Sequence, residues 1–294
     1  MRIDNSMYSL YCKCPLAYFE RYHGLLQQNS TGNPSRESEV HAGEGSRNIQ
    51  QSASGIELAA PSESLDFGTR FHQLLHLRRL RLCGDQQPVL PEWPDDRIES
   101  ECQSTLAQYD AFWRGREYTY LESERTHVLP LPGSEGRHEL VVKLDAICRF
   151  PDGTIGPFDS KSENRPGYNT REDWAGRTQA KLYLHASKVL YPDEHVSSLC
   201  VDVITRGSPK GRRSPIFSRI EDIGSSQAAI DDALRNVLWV ADDIQRSLHL
   251  GWFRSNMNAC KRGWDKCDYY NLHVYGRTEH NLKLYKIAEE YLKT

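Results

Sequence analysis

Hydrophobic residues along this chain recur with two different spacings, and each spacing predicts a different element. Recurrence at every third or fourth position predicts helices, and it is found over residues 7–24, 65–82, 97–115, 174–190 and 226–249. Short apolar runs with β-branched residues predict strands, and they lie at 118–130, 139–150, 154–161, 198–206 and near 215–220. The alternation of helices with strands predicts a core of the α/β class, or the related α+β class, with a small mixed central β-sheet flanked by helices.

Residues 27–64 interrupt this pattern. They are rich in Ser, Gly, Asn, Gln and Glu and have almost no aliphatic periodicity, which predicts a flexible insertion. We therefore expect four parts along the chain. They are an N-terminal helix in residues 1–26, the insertion, a core in residues 65–250 and a C-terminal segment in residues 251–294.

Composition narrows the class of protein. The chain has 294 residues, of which 38% are hydrophobic and 26% are charged, and its formal net charge is −3. A chain of this length can bury a sizeable core. No apolar stretch of the sequence is long enough to span a bilayer, so we expect a soluble, cytoplasmic protein with no membrane partner. The net charge argues against a protein that coats nucleic acid through charge alone. The basic runs 78–81 and 210–213 could line a local groove, although solvated surfaces are the simpler interpretation.

Two carboxylates and an ammonium group are expected to meet within residues 141–161. An apolar run carries Asp145, a Pro-Asp-Gly turn reverses the chain, and a second run carries Asp159, Ser160 and Lys161. Side chains alternate along a strand, so Asp159 and Lys161 point the same way. Burying two carboxylates together is unfavourable unless a divalent cation lies between them. Asp145, Asp159 and the backbone carbonyl of Ser160 could therefore share one Mg²⁺, although a solvent-facing strand end stays open as the simpler interpretation. Lys161 would orient a water or stabilise charge on a phosphate.

Helices on either side of this stretch carry further polar side chains. Gly68 and His72 lie one turn apart in a predicted helix, where glycine allows the close approach of another backbone. Gln179 and Tyr183 are also one turn apart, so they share a face and can hydrogen-bond a phosphate, a base or a metal-bound water. Each pair alone is common on ordinary helices, and only the combination is informative.

The ordered combination of these residues, G-x-x-x-H, D, D-x-K and Q-x-x-x-Y, resembles the RecB family of PD-(D/E)xK nucleases. The resemblance covers residues 7–275 apart from the insertion, and it implies a restriction-endonuclease-like core. It also implies roles for six motif residues. These are metal ligation for His72, Asp145 and Asp159, catalysis for Lys161, and organisation of the site and binding of the DNA strand for Gln179 and Tyr183.

The implied function is that of a metal-dependent DNA exonuclease. Its substrate would be single-stranded or end-bearing DNA in recombination, repair or phage DNA processing. An imidazole ligand makes Mn²⁺ a credible ion beside Mg²⁺. Two other classes stay open: a non-catalytic nucleic-acid-binding protein with a nuclease-like fold, and a regulatory protein stapled by metal. The first predicts damaged motif residues, and all six are intact here; the second does not require the acidic pair.

Eight cysteines in a chain of this type indicate metal ligands or free thiols rather than disulfides. Cys148 and Cys200 lie within apolar, strand-like runs. We therefore expect both of them in the hydrophobic core, where an unpaired cysteine behaves as a small apolar residue.

Cysteines near both chain ends form a separate pattern. Cys14 within CPLAYF, and Cys260, Cys267 and His273 within NACKRGWDKCDYYNLH, resemble the terminal cluster of iron–sulfur members of the family, such as CRISPR-associated and AddB-like nucleases. In those relatives a fourth cysteine stands at the position of His273. Three outcomes are open: a [4Fe–4S] cluster with His273 or an outside ligand, a Cys₃His zinc site, or a lost site. The flanking aromatic residues favour the cluster, and Cys12 could supply a fourth thiolate.

Overall fold

A computed structural model describes most of the chain. The described residues are 1–23, 26–28, 63–84, 90, 92–116, 118–163, 169–207, 213–262, 265–283 and 285–287. The chain divides into two compact units, of which the first contains residues 1–5 and 62–241 and the second contains residues 6–61 and 242–294. Residues 29–62 of the predicted insertion, and residues 210–212 of the second basic run, lie outside the described ranges.

The first unit is built on a mixed six-stranded sheet. Its strands are β1 (Arg2–Asp4), β3 (Thr119–Pro130), β4 (Glu139–Arg149), β5 (Ile155–Glu163), β6 (Leu199–Thr205) and β7 (Ile216–Ile223). The order is β1-β4-β5-β6-β7, with β3 also paired to β4. The pairs β1–β4 and β5–β6 are parallel, whereas β3–β4, β4–β5 and β6–β7 are antiparallel. The predicted α/β class with a mixed central sheet is confirmed.

Helices flank this sheet. They are α3 (Glu63–Cys83), α4 (Asp96–Trp113), α5 (Arg171–Gly176), α6 (Thr178–Leu190) and the part of α7 (Gln227–Leu250) that ends at residue 241. The apolar stripe of α3 places Phe67, Phe71 and Leu75 at four-residue spacing, and all three are buried against residues of α4 that include Ile98 and Tyr109. Full burial of each such aliphatic or aromatic side chain stabilises the fold by about 2 kcal/mol. This packing fixes α3 beside the sheet.

Two predicted helices are interrupted, and each interruption has a local cause. The stretch 174–190 divides at Arg177 into α5 and α6, because the backbone of Arg177 is extended, with a φ of −71° and a ψ of 136°. Helix α5 itself begins with a capping box between Thr170 and Asp173. The stretch 7–24 divides at Cys14 into α1 (Asn5–Lys13) and α2 (Pro15–Tyr22). Pro15 lacks an amide hydrogen and occupies the first turn of α2, where that hydrogen has no partner to bond.

The second unit consists of short elements from both ends of the chain. Besides α1 and α2 they are β2 (Leu26–Gln28), α8 (Met257–Cys260), β8 (Lys261–Arg262), β9 (Asp265–Lys266), α9 (Tyr270–Tyr275), α10 (Glu279–Leu282) and β10 (Tyr285–Ile287). Strands β2 and β10 pair with each other, and so do β8 and β9. Ion pairing supports the association of the two ends, since Arg277 lies 2.6 Å from the buried carboxylate of Glu20.

The cysteines and the helices bear on two further predictions. Cys148 and Cys200 are buried in the sheet, as predicted, and pack with Phe158 and Tyr120. No helix in the described part of the chain has the length and apolarity needed to cross a membrane.

Candidate metal centre

The carboxylates of Asp145 and Asp159 lie where strands β4 and β5 stop pairing. The ladder runs from the pair Arg149–Ile155 to the pair Ala146–Phe158, and the two aspartates are the next residues on each strand. The amide of Ser160 donates a hydrogen bond of 2.9 Å to Asp145 Oδ2. Two acidic side chains therefore meet at the end of a ladder, on a sheet rather than on a flexible loop.

Asp159 is the most deeply buried of these acidic groups. Its side chain is fully inaccessible, and Lys161 Nζ lies 2.9 Å from Oδ2 and 3.2 Å from Oδ1. Burial and the neighbouring charge of Asp145 raise the pKa of Asp159 to about 7, although Lys161 opposes the shift. Asp159 Oδ2 accepts no well-formed hydrogen bond from any described residue, despite the nearby ammonium group. The negative charge on Asp159 is thus only partly compensated.

Lys161 lies beside Asp159 and remains one-third exposed. Burial lowers the pKa of its ammonium group, but the carboxylates of Asp159 and Asp145 outweigh that effect and raise it above the ordinary value. Lys161 Nζ also lies 5.7 Å from the centroid of the buried Trp174 ring. The lysine is therefore a fixed positive charge at the mouth of the acidic site.

His72, Glu124 and Asp145 form a second set of potential ligands. One ligand atom from each lies within 4.8 Å of the other two, and His72 Nδ1 is 3.8 Å from Asp145 Oδ2. Burial lowers the pKa of His72, although Asp145 opposes the shift, which favours the neutral imidazole that metal binding requires. Among the described side chains, Asp159 is not a member of this set. The structure thus brings His72 and Asp145 together as the sequence predicted, but with Glu124 as the third member.

Glu124 was not predicted from the sequence. It lies on β3 next to a register irregularity between Tyr120 and Glu122, and its backbone has a left-handed φ of 52°. Such a conformation costs a residue other than glycine about 1 kcal/mol or more. Sequence pattern gives only one signal for Glu124, which is an acidic residue inside a predicted strand, and many exposed strands show the same.

Arg79 supports the site from behind. Its guanidinium group is buried, donates a 3.3 Å hydrogen bond to the carbonyl of Asp145 and also donates to Ser160 Oγ. It stacks near the rings of Tyr120 and Phe158, with its central carbon 5.7 and 5.3 Å from their centroids. One side chain of α3 therefore links the backbone of β4 to the Ser160 side chain of β5 beside the two aspartates.

The interpretation of residues 78–81 as a solvated or groove-lining basic run is wrong for two of its members. Arg79 is 1% exposed, and Arg78 donates to Asp110 of α4. Both charges are used inside the first unit, because α3 packs on the sheet through the face that carries Arg79. Neither guanidinium group is available to bind a DNA backbone.

Gly68 allows α3 to approach β5. A Cβ atom at Gly68 would lie 2.9 Å from Ser162 Oγ, which is closer than side chains normally pack. The sequence predicted the close approach of another backbone, whereas the atom nearest to this Cβ position is a side-chain oxygen on the strand that carries Asp159 and Lys161. His72, one turn later on α3, is thereby placed near the same strands.

Gln179 and Tyr183 lie on α6 and contact each other. Gln179 Nε2 donates a 2.7 Å hydrogen bond to Tyr183 Oη. Burial, followed by the charges of Asp159 and Asp145, raises the pKa of Tyr183 above its ordinary value. The phenol therefore stays protonated at neutral pH, close to the carboxylates, where it can donate a hydrogen bond.

The terminal cysteines and His273 form a separate group in the second unit. Ligand atoms of Cys260, Cys267 and His273 lie within 4.8 Å of one another, and Cys260 Sγ is 3.9 Å from His273 Nδ1. Cys14 is buried and adjacent, since burial and the Cys14 thiol both raise the pKa of Cys260. Cys12 is exposed on α1.

The electrostatics of this group favour neutral thiols when no cation is present. Burial raises the pKa of Cys267 to about 12. Burial also lowers the pKa of His273, and His273 Nε2 is buried without a hydrogen-bond partner among the residues that the structure describes. Three thiols and one neutral imidazole are thus gathered in one place, as in a Cys₃His metal site.

No family model and no curated protein matches this sequence. The nuclease family therefore stays an inference from the motif residues and from their arrangement.

Proposed function

We propose that this chain is a metal-dependent DNA nuclease of the PD-(D/E)xK type. The observation that carries the proposal is the pair of adjacent aspartates at the end of the β4–β5 ladder, with Lys161 on one of them. His72 from α3 and the Gln179–Tyr183 pair from α6 lie around the same carboxylates. These six side chains come from four separate elements, which a solvent-facing strand end would not require.

The residues present fit a divalent cation. Three carboxylates, of Asp145, Asp159 and Glu124, lie in a partly or fully buried region, and Asp159 Oδ2 accepts no well-formed hydrogen bond from the described residues. Oxygen ligands with one imidazole suit Mn²⁺ and also Mg²⁺. When bound, the cation would polarise a phosphoryl oxygen and lower the pKa of a coordinated water.

The side chains of the chain itself then account for the rest of the reaction. Lys161 lies at the partly exposed side of Asp159, where its positive charge can stabilise the charge that develops on a phosphate during hydrolysis. The protonated Tyr183 hydroxyl, oriented by Gln179, can donate to a phosphate oxygen and position the strand. Arg79 holds β4 and β5 in place and so keeps the aspartates adjacent.

The substrate that we propose is single-stranded or end-bearing DNA. The alternative is a non-catalytic nucleic-acid-binding protein with the same fold. The preserved Lys161 favours the enzyme, since a binding module does not require an ammonium group beside a buried carboxylate. All eight cysteines are free thiols, which supports a cytoplasmic location.

A nuclease assay tests the proposal. Labelled single-stranded and blunt-ended DNA is incubated with the full-length protein and Mn²⁺ or Mg²⁺, and products are resolved on a sequencing gel. We expect cleavage by the parent and a loss of about 10²-fold or more in Lys161→Met. Lys188→Met is the matched control, because Lys188 binds Gln227 on α7. An inactive parent with both ions, or a Lys161→Met variant as active as the parent, refutes the nuclease.

For the second unit we propose a structural metal held by Cys14, Cys260, Cys267 and His273. The Cys₃His donor set is typical of zinc, whereas the family resemblance favours a [4Fe–4S] cluster. In either case the ligands come from α2's cap and from the C-terminal elements, so the metal would link the two ends of the chain within this unit. Colour and metal content distinguish the two.

A further inference from the structure

Glu124 and Asp145 face each other across the β3–β4 ladder. The pairs Ser123–Ala146 and Arg125–Leu144 flank them on both sides. Directly opposed residues on antiparallel strands lie side by side on one face of the sheet, and like charges in that position destabilise the pair. Glu124 also has a left-handed backbone. The fold thus retains two unfavourable features at one residue.

A surface ion pair does not explain this arrangement. Lys143 Nζ lies 2.6 Å from Glu124 Oε2, but the Lys143 side chain is 63% exposed while that of Glu124 is 14% exposed. Ion pairs with such an exposed partner contribute little to stability. Lys143 therefore compensates Glu124 only from the solvent side, and the side that faces Asp145 and His72 is left with two negative charges.

We propose that Glu124 is a metal ligand, and that Glu124, His72 and Asp145 bind one divalent cation of the Mn²⁺ type. Atoms that coordinate one such ion at about 2.0–2.4 Å must lie within about 4.8 Å of each other. The three ligand atoms meet that condition without any rearrangement. The mixture of one nitrogen and two carboxylate donors favours a transition metal over Mg²⁺.

Asp159 supplies an independent observation next to the proposed cation site. Its side chain is fully buried beside Asp145, and its Oδ2 accepts no well-formed hydrogen bond from the described residues, although Lys161 Nζ lies 2.9 Å away and partly compensates the carboxylate. Asp159 lies against Lys161 rather than within the Glu124 set. The inference deepens the proposed nuclease, because it rests on the same site and adds Glu124 to the ligands that the sequence predicts.

The test measures Mn²⁺ binding to the full-length, metal-free protein by the electron paramagnetic resonance signal of free Mn²⁺. In Glu124→Gln, which keeps the shape of the side chain and removes its charge, we expect the Kd to rise about 10-fold or more. Lys143→Met is the matched control, since it removes the ion pair and retains the ligand. Its Kd should equal that of the parent or be lower.

Thermal unfolding of the same metal-free proteins separates ligand loss from misfolding. Glu124→Gln should unfold at the temperature of the parent or above it, because the substitution removes the repulsion from Asp145. If Glu124→Gln binds Mn²⁺ as tightly as the parent, or if the parent binds none, the inference is overturned. The same holds if Lys143→Met weakens binding as much as Glu124→Gln.

Failure of this inference differs from failure of the nuclease. A parent that binds Mn²⁺ through Glu124 but cleaves no DNA supports the ligand set and refutes the proposed function. A parent that cleaves DNA with dependence on Lys161, while Glu124→Gln binds Mn²⁺ normally, supports the nuclease and refutes Glu124 as a ligand.

Discussion

Replacing Asp159 by Asn should stabilise the metal-free protein, and most strongly above neutral pH. The buried carboxylate lies near Asp145 and is only partly compensated by Lys161. Asparagine has nearly the same shape as a protonated aspartate and carries no charge. The variant therefore reproduces, at every pH, the form of residue 159 that the metal-free fold prefers.

The magnitude follows from the pKa of Asp159. The pKa is about 7 in the folded protein against an ordinary value of 3.8, so between these values the folded state binds more protons than the unfolded state. The free energy of unfolding of the parent must then fall as pH rises through this window, by about 1.4 kcal/mol per pH unit. From pH 5 to pH 7 this amounts to about 2 kcal/mol, since the slope halves as the pH reaches the folded pKa of about 7, and it is absent in Asp159→Asn.

Urea unfolding with a chelator present, at pH 5 and at pH 8, measures this difference. Asp152→Asn is a suitable control, because Asp152 is an exposed aspartate in the β4–β5 turn whose pKa is lowered by hydrogen bonds from Thr154. If Asp159→Asn and the parent lose the same free energy between the two pH values, the reasoning is wrong. In the presence of saturating Mn²⁺ instead of chelator, the order of stability should reverse, with the parent more stable than Asp159→Asn.

Two further predictions concern packing and the second unit. Gly68→Ala alone should not stabilise the protein, since its Cβ would lie 2.9 Å from Ser162 Oγ. In a Ser162→Ala background the same substitution should stabilise it by about 1 kcal/mol, because the helix propensity of alanine is no longer opposed. Additive effects of the two substitutions in urea unfolding would contradict this. Anaerobically purified protein should contain metal. The sample should be brown if the metal is a [4Fe–4S] cluster, and colourless with one zinc per chain if it is zinc. Cys260→Ala should lose that metal and unfold at a lower temperature, whereas Cys12→Ala should keep it; unchanged metal content in Cys260→Ala would refute the structural site.

The major elements could be predicted from the sequence because the positions that they bury are mostly apolar. The four-residue spacing of Phe67, Phe71 and Leu75 identifies α3, and the long apolar runs identify β4 and β6. Short strands carry no such signal. Strand β1 has three residues, and its pairing with β4 depends on where the chain end is placed by the rest of the fold.

The burial of Arg79 could have been predicted from its position on the helix, although its charge suggested an exposed side chain. Residues 71, 75 and 79 follow one another at four-residue spacing, so Arg79 continues the buried stripe of α3. A run of basic residues suggests solvent exposure, whereas helical geometry turns successive side chains by about 100° and sends one of them inward. Position on the helix, rather than charge, determined where Arg79 lies.

Glu124 could not be predicted in the same way, because its role depends on register. One residue of slippage between β3 and β4 would bring Ser123 or Arg125 opposite Asp145 and would send Glu124 to the other face. The irregularity between Tyr120 and Glu122 sets that register, and it leaves no mark in hydrophobic spacing. Motif residues within one hairpin, such as Asp145 and Asp159, are adjacent for local reasons. A ligand from a third strand becomes visible only when the whole sheet is assembled.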